Sequence, residues 1–341
     1  MPSIEQLAAA LPARPDIRAL TRQFVPPRRF ADARFPSYHP RDPSQCVARE
    51  RLETLAADLR ARAGRPAWLR GLRARLGAAP GSGVYLDGGF GVGKTHLLAA
   101  LWHAAPAPKA YLSFDELVYF IGLVGVDEAR RAFAGHRLAA IDEWELDDPG
   151  NLKLALAFLR GALADGLQVV VTSNTLPVEL GRGRFSRKDF RAEIEELAAA
   201  FDLLRIEGTD YRQRHFEADP GKRYFVEPAC LRHAAAAAGD GAVLTGFDPL
   251  LRAIGEVHPI RYAGLIAAID TLFVEDVHPL GTLVDALRWV HFVDKLYNGA
   301  TPLRASGDLA LGDLFPPDSL RGPYATKLSR CLSRMEEMLN G

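Results

Sequence analysis

Short apolar runs alternate with helix-spaced apolar positions through the middle of the chain. The runs are VYLD (84–87), AYLSF (110–114), LAAID (138–142), LQVVVTS (167–173) and LLRIE (203–207). Short runs of this kind, entering turns, read as buried parallel strands. Between them, 94–104, 115–134, 150–165 and 188–200 carry the spacing of helices. Strands alternating with helices over 84–207 predict an α/β domain, a parallel sheet with helices on both faces. Upstream, Leu52, Leu55, Ala56 and Leu59 line one face of a helix expected from Ala48. A second helix is expected after Pro66, through Trp68, Leu69 and Leu72.

The texture changes on either side of this core. After Asp210, LRHAAAAAG (231–239) and the stretches 260–275, 281–297 and 323–339 predict a smaller, mainly helical region. Its pentad Ala234–Ala238 is strong helix former. Residues 1–45, rich in Pro and Arg, read as an extended arm with one short helix near Ile4–Ala10. The expected organisation is an arm over 1–45, an α/β core over 46–210 and a helical region over 211–341.

Composition narrows the class. The 341 residues suit one large domain or two ordinary ones, with ample length for a core. Lys plus Arg and Asp plus Glu both number 42, which argues against a wholly basic nucleic-acid coat or an acidic tail protein. The balance is uneven along the chain: residues 1–75 hold 15 arginines against 7 acids, a net charge of +8. A basic arm of this kind binds nucleic acid, an anionic membrane face or an acidic partner; the plainer reading is solvated helix faces in a chain where Arg outnumbers Lys 35 to 7. Cys46, Cys230 and Cys331 are scattered and offer no disulfide framework, so a reducing compartment is expected. No secretory signal is read at the N-terminus, and the apolar stretch from Ala263 is broken by Asp270, so no membrane span is expected.

The candidate chemistry begins at Gly88-Gly89-Phe90-Gly91-Val92-Gly93-Lys94-Thr95, which fits GxxxxGK[ST] between an expected strand and an expected helix. Glycines let backbone N–H groups turn onto a phosphate, and the helix start adds its positive dipole end. Lys94 would bring charge to the β- and γ-phosphates of ATP, and the Thr95 hydroxyl would take Mg²⁺. LAAIDEW then places Asp142 at a strand end, suited to the metal's water shell, and Glu143 next, suited to polarising the lytic water. The extra strand 110–114 between loop and acids fits the additional-strand class of P-loop ATPases. VVVTSN ends in Asn174, whose amide can donate and accept between γ-phosphate and water, or simply cap the turn that follows. Arg182, Arg184, Arg187 and Arg191 cluster near an expected helix start; one could stabilise the transferring phosphoryl group, and the others are surface charges or packing stems. None of the nine histidines has paired ligand spacing for zinc, and Ser173 lacks a nucleophile-elbow context.

With these residues in hand the chain resembles the ZapE family, bacterial cell-division ATPases of the AAA+ type with mitochondrial relatives. The resemblance spans about residues 40–339. It rests on DPSQ (42–45), GVYLDGGFGVGKTHLL (83–98), DEW (142–144), VTSNTLPVEL (171–180), RKDF (187–190), TDYR (209–212), FDPL (247–250) and RCLSRMEEM (330–338). Carried over, it implies ATP and Mg²⁺ at Gly88, Gly93, Lys94 and Thr95, with Asp142 and Glu143 serving metal and water. It further implies a γ-phosphate sensor at Asn174, an arginine acting across a ring at Arg187, and Gln45 near the base. A homo-oligomer is implied, cytoplasmic and working at the inner membrane face, with the tubulin-like division GTPase as partner. The sequence departs from the family at Trp144, where a Phe is usual, at Tyr111-Leu112-Ser113-Phe114, where His-Phe-His is usual, and at Ala192, where a Pro is usual. A helicase-loader type of ATPase acting with nucleic acid shares the loop, acid pair and Asn and stands as the alternative.

Overall fold

The computed structural model describes residues 3–12, 16–64, 83–89, 91–145, 149–177, 190–208, 224–316, 318–322 and 324–340. The chain divides into two compact units. One joins Asp16–Pro26 to Phe30–Gln213; the other joins Met1–Pro15 and Pro27–Arg29 to Arg214–Gly341.

In chain order, α1 (Ile4–Ala9), α2 (Ile17–Arg22) and α3 (Pro43–Ala63) precede β1 (Gly83–Gly88) and α4 (Lys94–Ala104). Then come β2 (Lys109–Ser113), α5 (Phe114–Val124), α6 (Val126–Phe133), β3 (Leu138–Asp142) and α7 (Pro149–Ala164). The first unit closes with β4 (Gln168–Ser173), α8 (Arg191–Ala199) and β5 (Phe201–Ile206). Its sheet is wholly parallel in the order β2-β3-β4-β1-β5. Val84 and Leu86 pack with α3 and α4, while Tyr85, Ile141, Val169 and Val171, of opposite parity, are equally buried. Both faces of the sheet are therefore covered, which is why its inner strands read as unbroken apolar runs.

Local signals set the element ends. Asp42 caps α3 by accepting from the Ser44 N–H at 2.8 Å, so the helix starts five residues before Ala48 at Pro43, a favoured first position. The expected helix over 115–134 is two helices, broken at Gly125 with φ of +83°. The helix expected after Pro66 lies outside the described residues.

The Pro/Arg-rich stretch differs from an extended arm. Phe24 is buried between Phe120 and Phe133, with ring centroids 5.4 and 6.2 Å away, and its carbonyl accepts from the Tyr111 N–H on β2 at 2.8 Å. Residues 30–38 run along α4: His103 Nε2 lies 3.0 Å from the Phe30 carbonyl, and His96 Nε2 lies 3.1 Å from the Arg34 carbonyl and the Ser37 hydroxyl. Only short helices and 3₁₀ turns form in this stretch, and the aromatics between them supply apolar area that is worth burying.

The second unit is mainly helical and also holds a sheet that the pattern did not predict. After α9 (Pro228–Ala237) come β6 (Ala242–Gly246), α10 (Phe247–Glu256), α11 (Tyr262–Ile266) and β7 (Thr271–Val277). The unit ends with α12 (Leu283–Gly299), β8 (Leu303–Gly307) and α13 (Ala325–Leu339). Strands β6, β7 and β8 pair in parallel, in that order. The expected helix over 260–275 is thus a short helix followed by the strand TLFVEDV. A buried apolar run has no period that separates the two, and here pairing with β6 and β8 decides. Ile4 of α1 is fully buried in this unit's core.

The C-terminal R-x-L-S-R series is a buried clasp. Asp294 on α12 accepts from Arg330 at 3.2 Å and from Arg334, with these side chains only 9–13% exposed. Burial alone would raise the Asp294 pKa; the Arg334 and Arg330 charges outweigh it and hold the carboxyl below its ordinary value. Around the clasp, Tyr297 donates to Glu337 at 2.6 Å, Tyr224 donates to Glu336 at 2.8 Å, and the Trp289 indole N–H lies 3.3 Å from Met335 Sδ.

Candidate nucleotide site

Three strand ends supply the site. β1 runs directly into the glycine loop, β4 lies beside β1, and β3 lies beside β4. Their carboxyl ends are where an open α/β sheet presents its ligand site. Gly91 and Gly93 take φ of +78° and +89°, and α4 starts at Lys94 with its free N–H groups at the loop. Gly93 is doubly required: a Cβ there would sit 2.5 Å from Cε2 of the Tyr38 ring. Tyr38 also donates to the Val92 carbonyl at 2.8 Å, and burial pushes its own pKa up to about 12, so it stays a neutral donor.

Lys94 is 8% exposed, and its Nζ donates to the Gly88 and Gly89 carbonyls, both at 2.6 Å, and to Asn174 Oδ1 at 2.9 Å. The loop cation and the tip of β4 therefore meet. Asn174 Nδ2 stands 3.5 Å from Glu145 Oε1, so its amide has its oxygen toward Lys94 and its nitrogen toward an acid.

Thr95 Oγ1 donates to Asp142 Oδ1 at 3.3 Å. Asp142, 8% exposed, also accepts from Thr172 Oγ1 and, through Oδ2, from the Tyr111 hydroxyl at 2.8 Å. Burial and the neighbouring Glu143 charge raise the Asp142 pKa, while the three hydroxyl donors oppose that shift. A threonine hydroxyl beside a carboxylate is the hard-oxygen donor set that Mg²⁺ takes, so these residues fit that ion. Glu143 follows with φ of +54°, in the left-handed region, its N–H donating to Thr172 Oγ1 at 3.1 Å. Such backbone costs about 1–3 kcal/mol in a non-glycine residue and concentrates at functional sites. Trp144, fully buried against Phe114 at 4.5 Å, and the Trp144 N–H to Thr172 carbonyl bond of 2.7 Å hold the turn in place.

Gln45 is 5% exposed and engaged on both sides of its amide. Oε1 accepts from the Arg41 N–H at 2.8 Å and Nε2 donates to the Glu207 carbonyl at 2.8 Å, tying the start of α3 to the end of β5. Gly208 allows this approach, since a Cβ there would lie 2.6 Å from Gln45 Nε2. Phe90, Arg182, Arg184 and Arg187 lie outside the described residues, as does TDYR (209–212). Arg191, the last of the expected arginine cluster, is exposed and paired with Glu195 at 2.7 Å.

Pattern reading missed Tyr38, Tyr111 and Thr172. Thr172 follows Val171, the partner of Ile141, so its place beside Asp142 comes from the pairing of β3 with β4. Nothing local in the sequence marks Tyr38, which reaches the loop from 54 residues away.

A phosphate loop, a polar strand tip and an acid pair, at the ends of three neighbouring parallel strands in this order, define a P-loop ATPase fold of the AAA+ type. The family model for AFG1-like ATPases matches residues 24–239 and 230–341, and the chain belongs to that family. The curated "Cell division protein ZapE" of Escherichia coli K12, and its counterpart in strain O157:H7, are each 26% identical over 318 residues. That alignment covers 79% of this chain and 83% of theirs. Among solved structures, DnaI is 20% identical with a TM-score of 0.41, covering 54% of this chain and 93% of that one. No helix among the described residues is long and apolar enough to cross a membrane.

Proposed function

We propose that this chain is a Mg²⁺-dependent ATP hydrolase that couples turnover to remodelling a protein partner in cell division. The observation that carries the reading is the convergence of Lys94 with Asn174 and of Thr95 with Asp142, at 2.9 and 3.3 Å. Lys94 would exchange loop contacts for β- and γ-phosphate oxygens, supported by the loop N–H groups and the start of α4. Thr95 and Asp142 would hold Mg²⁺, which supplies charge neutralisation at the phosphates when bound. Glu143 would accept the proton of the attacking water, and Asn174 would orient that water against the γ-phosphate. Gln45 would border the base. Arg187 would reach the γ-phosphate of a neighbouring subunit in a ring-forming homo-oligomer.

The cell-division setting comes from the name of the Escherichia coli relatives. By the same resemblance the partner is the tubulin-like division GTPase, met in the cytoplasm at the inner membrane face. The deciding experiment measures ATP turnover alone, with DNA, and with filaments of that GTPase. Stimulation by filaments supports the reading. Stimulation by DNA alone assigns the chain to nucleic-acid work instead, and ATP binding without turnover in any arm refutes the hydrolase.

A further inference from the structure

We propose that Tyr111 is a positioning residue for Asp142, setting the carboxylate that holds Mg²⁺ at the nucleotide; this rests on the ATPase reading above. Tyr111 pairs with Ala140 in the β2–β3 ladder, and Asp142 lies two residues further along β3. Side chains two apart share a sheet face, and the offset of about 6.6 Å along the strand is one that a tyrosine spans. The hydroxyl accordingly reaches Asp142 Oδ2 at 2.8 Å, with both groups buried.

The two oxygens of Asp142 are used differently. Oδ1 accepts from Thr95 and Thr172, on α4 and β4. Among the bonds described, Oδ2 has Tyr111, on the far side of β3. Without that hydroxyl the carboxylate is held from one side and is free to rotate about its terminal bond. The ring itself is fixed: Tyr111 is 3% exposed in the core of α3 and α4, and its N–H is bonded to the Phe24 carbonyl. Outer partners of this kind orient metal ligands, and losing one typically costs roughly 10–100-fold in metal affinity.

The test is equilibrium binding of a fluorescent, non-hydrolysable ATP analogue, titrated with MgCl₂ and repeated in EDTA, for parent, Tyr111→Phe, Asp142→Asn and the double variant. Tyr111→Phe deletes one oxygen and leaves the ring packing, and the EDTA arm reports whether the loop is folded. The expected result is a half-saturating Mg²⁺ concentration raised roughly 10–100-fold in Tyr111→Phe, with binding in EDTA unchanged. The double variant should bind like Asp142→Asn alone, because Tyr111 acts through that carboxylate. Equal loss with and without Mg²⁺, a parent-like Mg²⁺ midpoint, or additive losses in the double variant would each overturn the proposal. A parent with no Mg²⁺ dependence would overturn the hydrolase reading itself, and the positioning role with it; the parent curve separates the two failures.

Discussion

Replacing Asp294 with Asn tests what the C-terminal arginine series does. In the native unit one buried carboxylate meets two guanidinium groups. Asp294→Asn keeps the shape but removes the negative charge that Arg330 and Arg334 share. Removing one partner of a buried ion pair costs about 3–5 kcal/mol, most of it the charge left behind. The unit has roughly 150 residues, so with an unfolding entropy of about 2.1 cal/mol/K per residue the midpoint should fall by ~10–16 °C if it melts on its own. The pH dependence has a definite sign. The folded pKa of Asp294 lies below its unfolded value, so its stabilisation is present above the ordinary carboxylate range and is lost as pH falls through the folded pKa. The stability gap between parent and Asp294→Asn should therefore narrow on acidification below about pH 4. Calorimetry from pH 7 to pH 3 measures both effects. Adding Arg334→Leu to Asp294→Asn should recover part of the loss, since it removes one of the two buried positive charges that Asp294 balanced. A midpoint within ~2 °C of the parent, less than 1 kcal/mol on this scale, would refute the clasp, as would a gap that does not change with pH.

The site carries its own predictions. Lys94→Ala should abolish tight binding of ATP with Mg²⁺ in an equilibrium titration, because no second cation in the glycine loop replaces its charge; parent-like affinity would end the phosphate-site assignment. Glu143→Gln should retain ATP binding while steady-state hydrolysis falls by ~10²–10⁴-fold, the usual worth of a general base. Mixing inactive Glu143→Gln and Arg187→Ala chains should restore partial turnover if Arg187 acts in trans, and inactive mixtures with proven co-assembly would exclude it. Deleting residues 1–45 would take away Tyr38 and Gln45 as well as the basic charge, so the expected outcome is weakened ATP binding and a lower melting midpoint. Unchanged ATP affinity would show that the packing around Val92 and Gly208 contributes nothing to the site.

What the sequence determined by itself was whatever local chemistry controls. The inner strand runs VYLD, LAAID and LQVVVTS were legible because both sheet faces are covered there, which leaves them apolar, whereas the edge run LLRIE keeps Leu203 and Arg205 exposed. Gly91, Gly93, Lys94 and Thr95 were legible because phosphate binding needs consecutive backbone groups and so leaves a consecutive trace. The acid pair at Asp142 and Glu143 stood out because charge at the end of an apolar strand is conspicuous. Tertiary structure decided the rest. Only pairing in the order β2-β3-β4-β1-β5 sets Asn174 against Lys94 and places Thr172 and Tyr111 on either side of Asp142. Tyr38 and Gln45 gain their positions from a Pro-rich stretch with no period to announce its path, directed instead by contacts with α4, the glycine loop and β5. The strand β7 escaped because a buried TLFV run is equally apolar as helix or strand, and only its neighbours β6 and β8 satisfy its backbone groups as a strand. Arg330 and Arg334 were legible as a motif, but their purpose depended on Asp294, which a different helix brings to them.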